Sequence, residues 1–223
     1  GATTPAVGGT VAAAPSPPPP TLAQRLVAPG VGESEGYEAL FAAWGGKYDP
    51  AGADPCAQAE AQGLACLSMQ GSLAQLAALH RPALLRLESA AGPRTALLVG
   101  LSPAQARLRI GASDVRVPLG ELAAQWYGGC TLLWHGIAMP VEVLKPGARG
   151  AAVRALRGQL LEAAGQPVPA NPPELYDAAL ERLVRDFQLA HHLAVDGVAG
   201  AGTQLALDAA LAAPGTPQLS GAD

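Results

Sequence analysis

The chain has 223 residues, a formal net charge of −4, 49% apolar residues and only 4% aromatics. That length suits one large or two small domains, at roughly 100–200 residues each. No Lys/Arg cluster stands out, which argues against a nucleic-acid surface, and no run of about 18 apolar residues marks a membrane-spanning helix. The chain has no initiating Met and no signal-peptide pattern, so it reads as a segment of a longer protein.

Residues 1–33 read as a disordered linker. Pro15, Pro17, Pro18, Pro19 and Pro20 sit among Ala, Gly and Thr, and a proline tract favours extended polyproline geometry over a packed core. A first domain is expected over residues 34–139. Tyr37, Leu40, Phe41 and Trp44 are spaced for one helix face, stopped at Gly45 and Gly46. A second helix is expected within 57–79, with Leu64, Leu67, Leu73 and Leu76 as its apolar side. Pro82 ends it, because the residue before a proline is pushed out of helical geometry. Short strands are expected at 83–87, 95–99, 106–110 and 115–117, then a helix over 118–125 and a closing strand at 131–134. Helices first and an antiparallel sheet after give an α+β class.

From 140 to 212 helical spacing dominates. Val153, Leu156 and Leu160 mark one helix, Leu180, Leu183, Val184 and Phe187 a second, and Leu205 and Leu207 a third. Residues 213–223 are expected to be a flexible tail. Cys56, Cys66 and Cys130 form an odd set. Cys56 and Cys66 can close a short loop in an oxidising compartment, or all three can be small buried apolar groups. His191 and His192 are adjacent, not four apart, which argues against a zinc site. The sequence points to no cofactor: no Ser/His/Asp set or Walker-type phosphate loop is identifiable.

The stretch 144–207 carries Gly147, Arg149, Gly150, Val153, Tyr176, Asp177, Phe187, Gln188, Asp196, Gly197, Gly200 and Thr203 in sequence. It resembles the small three-helix peptidoglycan-binding domain appended to many envelope proteins. The resemblance implies peptidoglycan as partner and a groove between the loops and the Gln188 helix. Arg149, Tyr176, Asp177, Gln188, Asp196, Gly197 and Thr203 are the expected binding residues. Four of them have a plainer reading: Arg149 solvated, Asp177 a helix cap, Asp196 and Thr203 satisfying turn and helix-start backbone groups. A wall compartment also favours the Cys56–Cys66 disulfide.

The segment from Gln62 through Cys66 and Leu67 is similar to papain-like peptidases that trim bacteriocin leaders. That resemblance places the nucleophile position at Gln62 and the histidine strand at Arg94–Val99, which has no histidine. A thiol needs a base or a cationic setting to react, so the domain is expected to be a degenerate, noncatalytic peptidase-like frame. Such a frame followed by a wall-binding module resembles the periplasmic part of the general secretion pathway protein A family, carried by 65–72, 80–84 and 126–134. That family implies a cytoplasmic ATPase and an inner-membrane span outside this chain, help in assembling an outer-membrane secretin, and self-association. The rival expectation is a cell-wall or peptide hydrolase targeted by its C-terminal module.

Overall fold

The computed structural model describes residues 18–221. Its elements are α1 (Leu22–Leu26), α2 (Glu33–Ala43), α3 (Pro55–Ala61), β1 (Ala65–Gln70), α4 (Leu73–Leu79), β2 (Ala83–Leu87), β3 (Arg94–Leu101), β4 (Gln105–Ile110), β5 (Ser113–Pro118), α5 (Leu119–Gln125) and β6 (Trp126–Trp134). Then come α6 (Ala151–Ala163), α7 (Ala178–Ala190) and α8 (Ala201–Leu211). The strands make one six-stranded antiparallel sheet in the order β1-β6-β2-β3-β4-β5. The class is α+β, with a three-helix bundle after the sheet.

Strand alternation sends side chains to two faces. On one face Leu84, Leu97 and Leu133 meet Leu40 and Phe41 of α2, with Ala59 of α3 closing the cluster. On the other, Leu85, Leu87, Ala96, Leu98, Leu108 and Leu132 pack with α1, α4 and α5. α2 lies very close to the sheet because residue 36 is glycine: a Cβ there would stand 2.0 Å from Thr95 Oγ1. The bundle has its own core of Val153, Leu156, Leu160, Tyr176, Leu180, Val184 and Leu207.

The expected helix within 57–79 is corrected. α3 stops at Ala61, Gln62 caps its C-terminus, and Ala65–Gln70 is strand β1. The every-third-residue leucines imitate a helix, but pairing with β6 satisfies the backbone of 65–70. β6 runs from Trp126, longer than the expected closing strand, and lies inside the sheet between β1 and β2.

Two ends of the expected division are also corrected. Part of the linker, residues 1–17, lies outside the described residues. Within the rest, Thr21 begins a capping box on α1, and Leu22 and Leu26 are buried in the sheet core. Burying two leucines is worth roughly 1.5–3 kcal/mol each, enough to hold this segment. The tail docks as well: Ser220 N–H donates to Val99 O (3.1 Å), and Leu101 N–H to Ser220 O (3.0 Å). Leu219 is buried in the same core.

Candidate functional site

The bundle is built around three loops. Gly147 N–H donates to Tyr176 O (2.9 Å), Tyr176 N–H to Ala148 O (2.8 Å) and Gly150 N–H to Glu174 O (2.9 Å). Leu144 and Ala199 exchange backbone bonds at 3.2 and 2.8 Å. These bonds clip the loop before α6 to the loops before α7 and α8.

Three of the side chains expected to bind, those of Tyr176, Gln188 and Thr203, are turned inward. Gln188 is 1% exposed. Its Nε2 donates to Asp196 Oδ1 (2.8 Å), Val198 O (3.0 Å) and Thr203 Oγ1 (3.2 Å), while its Oε1 accepts from Gly197 N–H (2.9 Å). The amide is fully occupied inside the protein, so its expected contact with ligand is corrected to a scaffold role. Thr203 is buried against it. Tyr176 is buried and donates its hydroxyl to Gly197 O at 2.7 Å, and burial pushes its pKa up to about 12. These three do not reach a groove surface.

Asp177 caps α7, accepting from Leu180 N–H at 2.9 Å and from the buried Arg157 at 2.9 Å. The Arg157 bond, then the Leu180 bond, holds its carboxyl below the ordinary range. Asp196 accepts from Val198 N–H at 2.8 Å and from Gln188, bonds that lower its pKa in that order. Gly197 has φ +76°, and a Cβ there would meet Arg185 Nε at 2.9 Å, so the turn requires glycine. Arg149 pairs its backbone with Leu175 while its side chain is exposed. Of the expected residues, it alone presents a charged side chain to solvent with no bond to a neighbour among the described residues.

The concave surface beside the bundle lies elsewhere. A groove of about 250 Å³ runs between α4 and the α7–α8 end of the bundle. Ala74 and Ala78 form one wall, Gly202, Ala206 and Ala210 the other, and Gln75 and the His191–His192 turn stand at the rim. His191 stacks on Phe187 with ring centroids 4.1 Å apart, and partial burial lowers its pKa. Residues four apart share a helix face, so both alanine/glycine rows are visible in the sequence. That they face each other is not.

The peptidase-like assignments also meet the structure. The 62–67 segment ends α3 and enters β1, which makes Gln62, the position matched to the nucleophile, the C-cap of α3. Cys56 and Cys66 form a disulfide. Cys130 is buried, and burial raises its thiol to about 11, far from the thiolate form at neutral pH.

A sheet domain carrying a three-helix wall-binding-type module is the class that this architecture defines: residues 149–207 match the family model described as a putative peptidoglycan binding domain. Most of the chain is homologous to part of general secretion pathway protein A. It is 34% identical over 170 residues to that protein from Aeromonas hydrophila, covering 76% of this chain and 30% of the relative's length. Among solved structures, a periplasmic domain of the EpsAB fusion protein of the Vibrio vulnificus type II secretion system shares the fold. Its TM-score is 0.56 at 23% identity, over 86% of this chain and 82% of that one. The N-terminal peptidase C39 like domain of a toxin secretion ATP-binding protein from Vibrio parahaemolyticus covers 45% of this chain and 95% of that one. At TM-score 0.35 and 17% identity the likeness is too weak to build on.

Proposed function

We propose that this chain is a noncatalytic periplasmic segment that binds peptidoglycan through the α6–α8 bundle and helps position a secretion-pathway assembly. The observation that carries the reading is the 149–207 family match on an intact bundle, together with the secretion-pathway relative. The sheet domain then serves as the face toward an outer-membrane secretin, a membrane partner or a second copy of itself. An inner-membrane span outside the chain supplies the tether. The noncatalytic part is supported by the thiols: two are joined and the third is buried with a raised pKa.

Within this reading the α4–α8 groove is the wall-contacting surface. Its small side chains leave room for the backbone and methyl groups of a stem peptide, and the rim supplies His and Gln donors. Binding per module is modest, and self-association adds avidity. Co-sedimentation of the intact chain with purified sacculi tests the proposal. Retention that saturates and is competed by soluble muropeptides is expected, and no retention above an unrelated acidic protein overturns it. Removing the bundle outright is a poor control, because Leu205 and Leu219 belong to the sheet core.

A further inference from the structure

A second concavity lies on the sheet, on the face carrying α2. Along that face the strands change character. Leu84, Leu97 and Leu133 are covered by α2. One step further along each strand stand Arg86, Thr95 and Thr131, and Ser68 and Gln70 extend the polar floor on β1. Period-two alternation places all of these side chains on one surface. Glu33 and Tyr37 of α2, with Pro93 and Arg94 at the start of β3, complete the lining, and the cavity measures about 620 Å³. Cavities of roughly 300–1,000 Å³ enclose ligands of small-molecule size.

The floor is kept open and polar. Ser68 and Thr131 share a hydroxyl hydrogen bond of 2.8 Å, and Thr95 donates to Gly32 O at 3.0 Å, fixing the start of α2. Gly129 lies beside Arg86, where a Cβ would sit 3.4 Å from the Arg86 Cβ. The two arginines are under-used. Arg94 donates from Nη1 to its neighbour Pro93 O, while its Nε is buried without an acceptor. The Arg86 side chain has no ion pair or hydrogen bond among the described residues. Glu33 is the single carboxylate among the lining residues, so cationic groups outnumber it. A buried guanidinium donor left unpaired is costly, and a guanidinium fork suits a carboxylate better than any neutral acceptor.

We infer that this cavity binds the free carboxylate end of a short peptide, with Arg86 and Arg94 as the carboxylate clamp and the Ser68–Thr131–Gln70 floor meeting the peptide amides. The site is separate from the bundle groove and does not rest on wall binding by the bundle. A carboxylate-ended peptide has two sources in an envelope compartment, a wall stem peptide ending in a D-residue and a protein terminus ending in an L-residue.

Calorimetric titration of the full chain tests this with three probes: acetyl-Ala-Ala-Ala as the free acid, its C-terminal amide, and the acid ending in two D-alanines. At least one acid is expected to bind at least tenfold more tightly than the amide. Arg86→Ala with Arg94→Ala should bring the acid down to the amide's affinity. Arg86→Gln, at an exposed position that the fold does not depend on, should weaken it at least threefold. Preference for the D-ended acid assigns the wall source and preference for the L-acid the protein source. No binding by either acid, equal binding of acid and amide, or an Arg86→Gln chain with unchanged affinity overturns the inference. Failure of sacculus retention with intact acid binding would sink the bundle reading and leave this one standing.

Discussion

Arg81, two residues before β2, reaches into the bundle and holds Asp208 of α8. Its Nη2 donates to Asp208 Oδ2 at 3.0 Å and to the Asp208 carbonyl at 2.8 Å, and its Nε reaches the same Oδ2 at 3.3 Å. The guanidinium is fully buried and the carboxylate 9% exposed. Removing one partner of a buried pair strands the other charge, at about 3–5 kcal/mol. Asp208→Ala is therefore expected to lower the urea midpoint strongly and to loosen the bundle from the sheet. Arg81→Met strands the carboxylate instead, but that group is 9% exposed and can take up a proton, which a guanidinium cannot lose, so this variant should cost less. Urea unfolding followed by near-ultraviolet circular dichroism compares the two. Equal and small losses would show that the pair contributes little.

Asp177 and Asp196 both have carboxyls held below the ordinary range, the first chiefly by Arg157 and the second chiefly by the Val198 N–H. A carboxylate whose folded pKa is depressed contributes stability above its unfolded value, about 3.9, and loses it as pH falls through the folded value. Bundle stability from these groups should thus be level above about pH 5 and decline toward acid. Asp177→Asn with Asp196→Asn should flatten that limb in thermal unfolding scans from pH 2 to 6. An unchanged slope would show that other groups govern it.

Much of this was legible in the chain, for particular reasons. α2, α6, α7 and β2 to β5 carry their own periodicity and stop signals, and Asp177 is a visible cap. β1 was not, because Leu64, Leu67, Leu73 and Leu76 fit a helical spacing and only the pairing with β6 decides otherwise. α1 hid behind the proline tract, its two leucines meaningful only once a core exists to receive them. Gln188 was visible as polar, but its burial is tertiary. A buried amide holding a loop and an exposed amide reaching for a ligand look the same in sequence.

The Gln188 network gives its own test. Gln188→Ala removes both ends of the stitch and leaves Gly197 N–H and part of the Asp196 and Thr203 bonding unmet. Each buried group left unsatisfied costs roughly 1–3 kcal/mol, so a loss of about 2–4 kcal/mol is expected from so concentrated a network. Hydrogen exchange should show faster exchange at Gly197 and Val198, with little change in the sheet. Slow exchange at Gly197 in the variant would place the stitch elsewhere.

The disulfide closes a loop between Cys56 and Cys66, ten residues apart. Cross-linking a loop of this size stabilises by roughly 2–3 kcal/mol in the chain-entropy account. Cys56→Ser with Cys66→Ser is expected to lower Tm by several degrees and to leave the bundle core intact. Cys130 should react with Ellman's reagent only after denaturant is added. Prompt reaction in the folded chain would contradict the buried, raised thiol.

The wall-contact surface can be blocked without disturbing the fold. Gly202 lines the α4–α8 groove, and a Cβ at that position would meet nothing within 4 Å. Its backbone is not in the left-handed region, so Gly202→Leu costs no strain and adds only bulk to the groove. Thermal unfolding should be unchanged or slightly improved, since leucine is the better helix former. Sacculus retention should fall at least tenfold if stem peptides lie between α4 and α8. The same substitution should leave carboxylate-peptide binding at Arg86 untouched, because the two concavities share only Met69 among their lining residues. Full retention by Gly202→Leu would move the wall contact out of the groove and onto the exposed loops around Arg149.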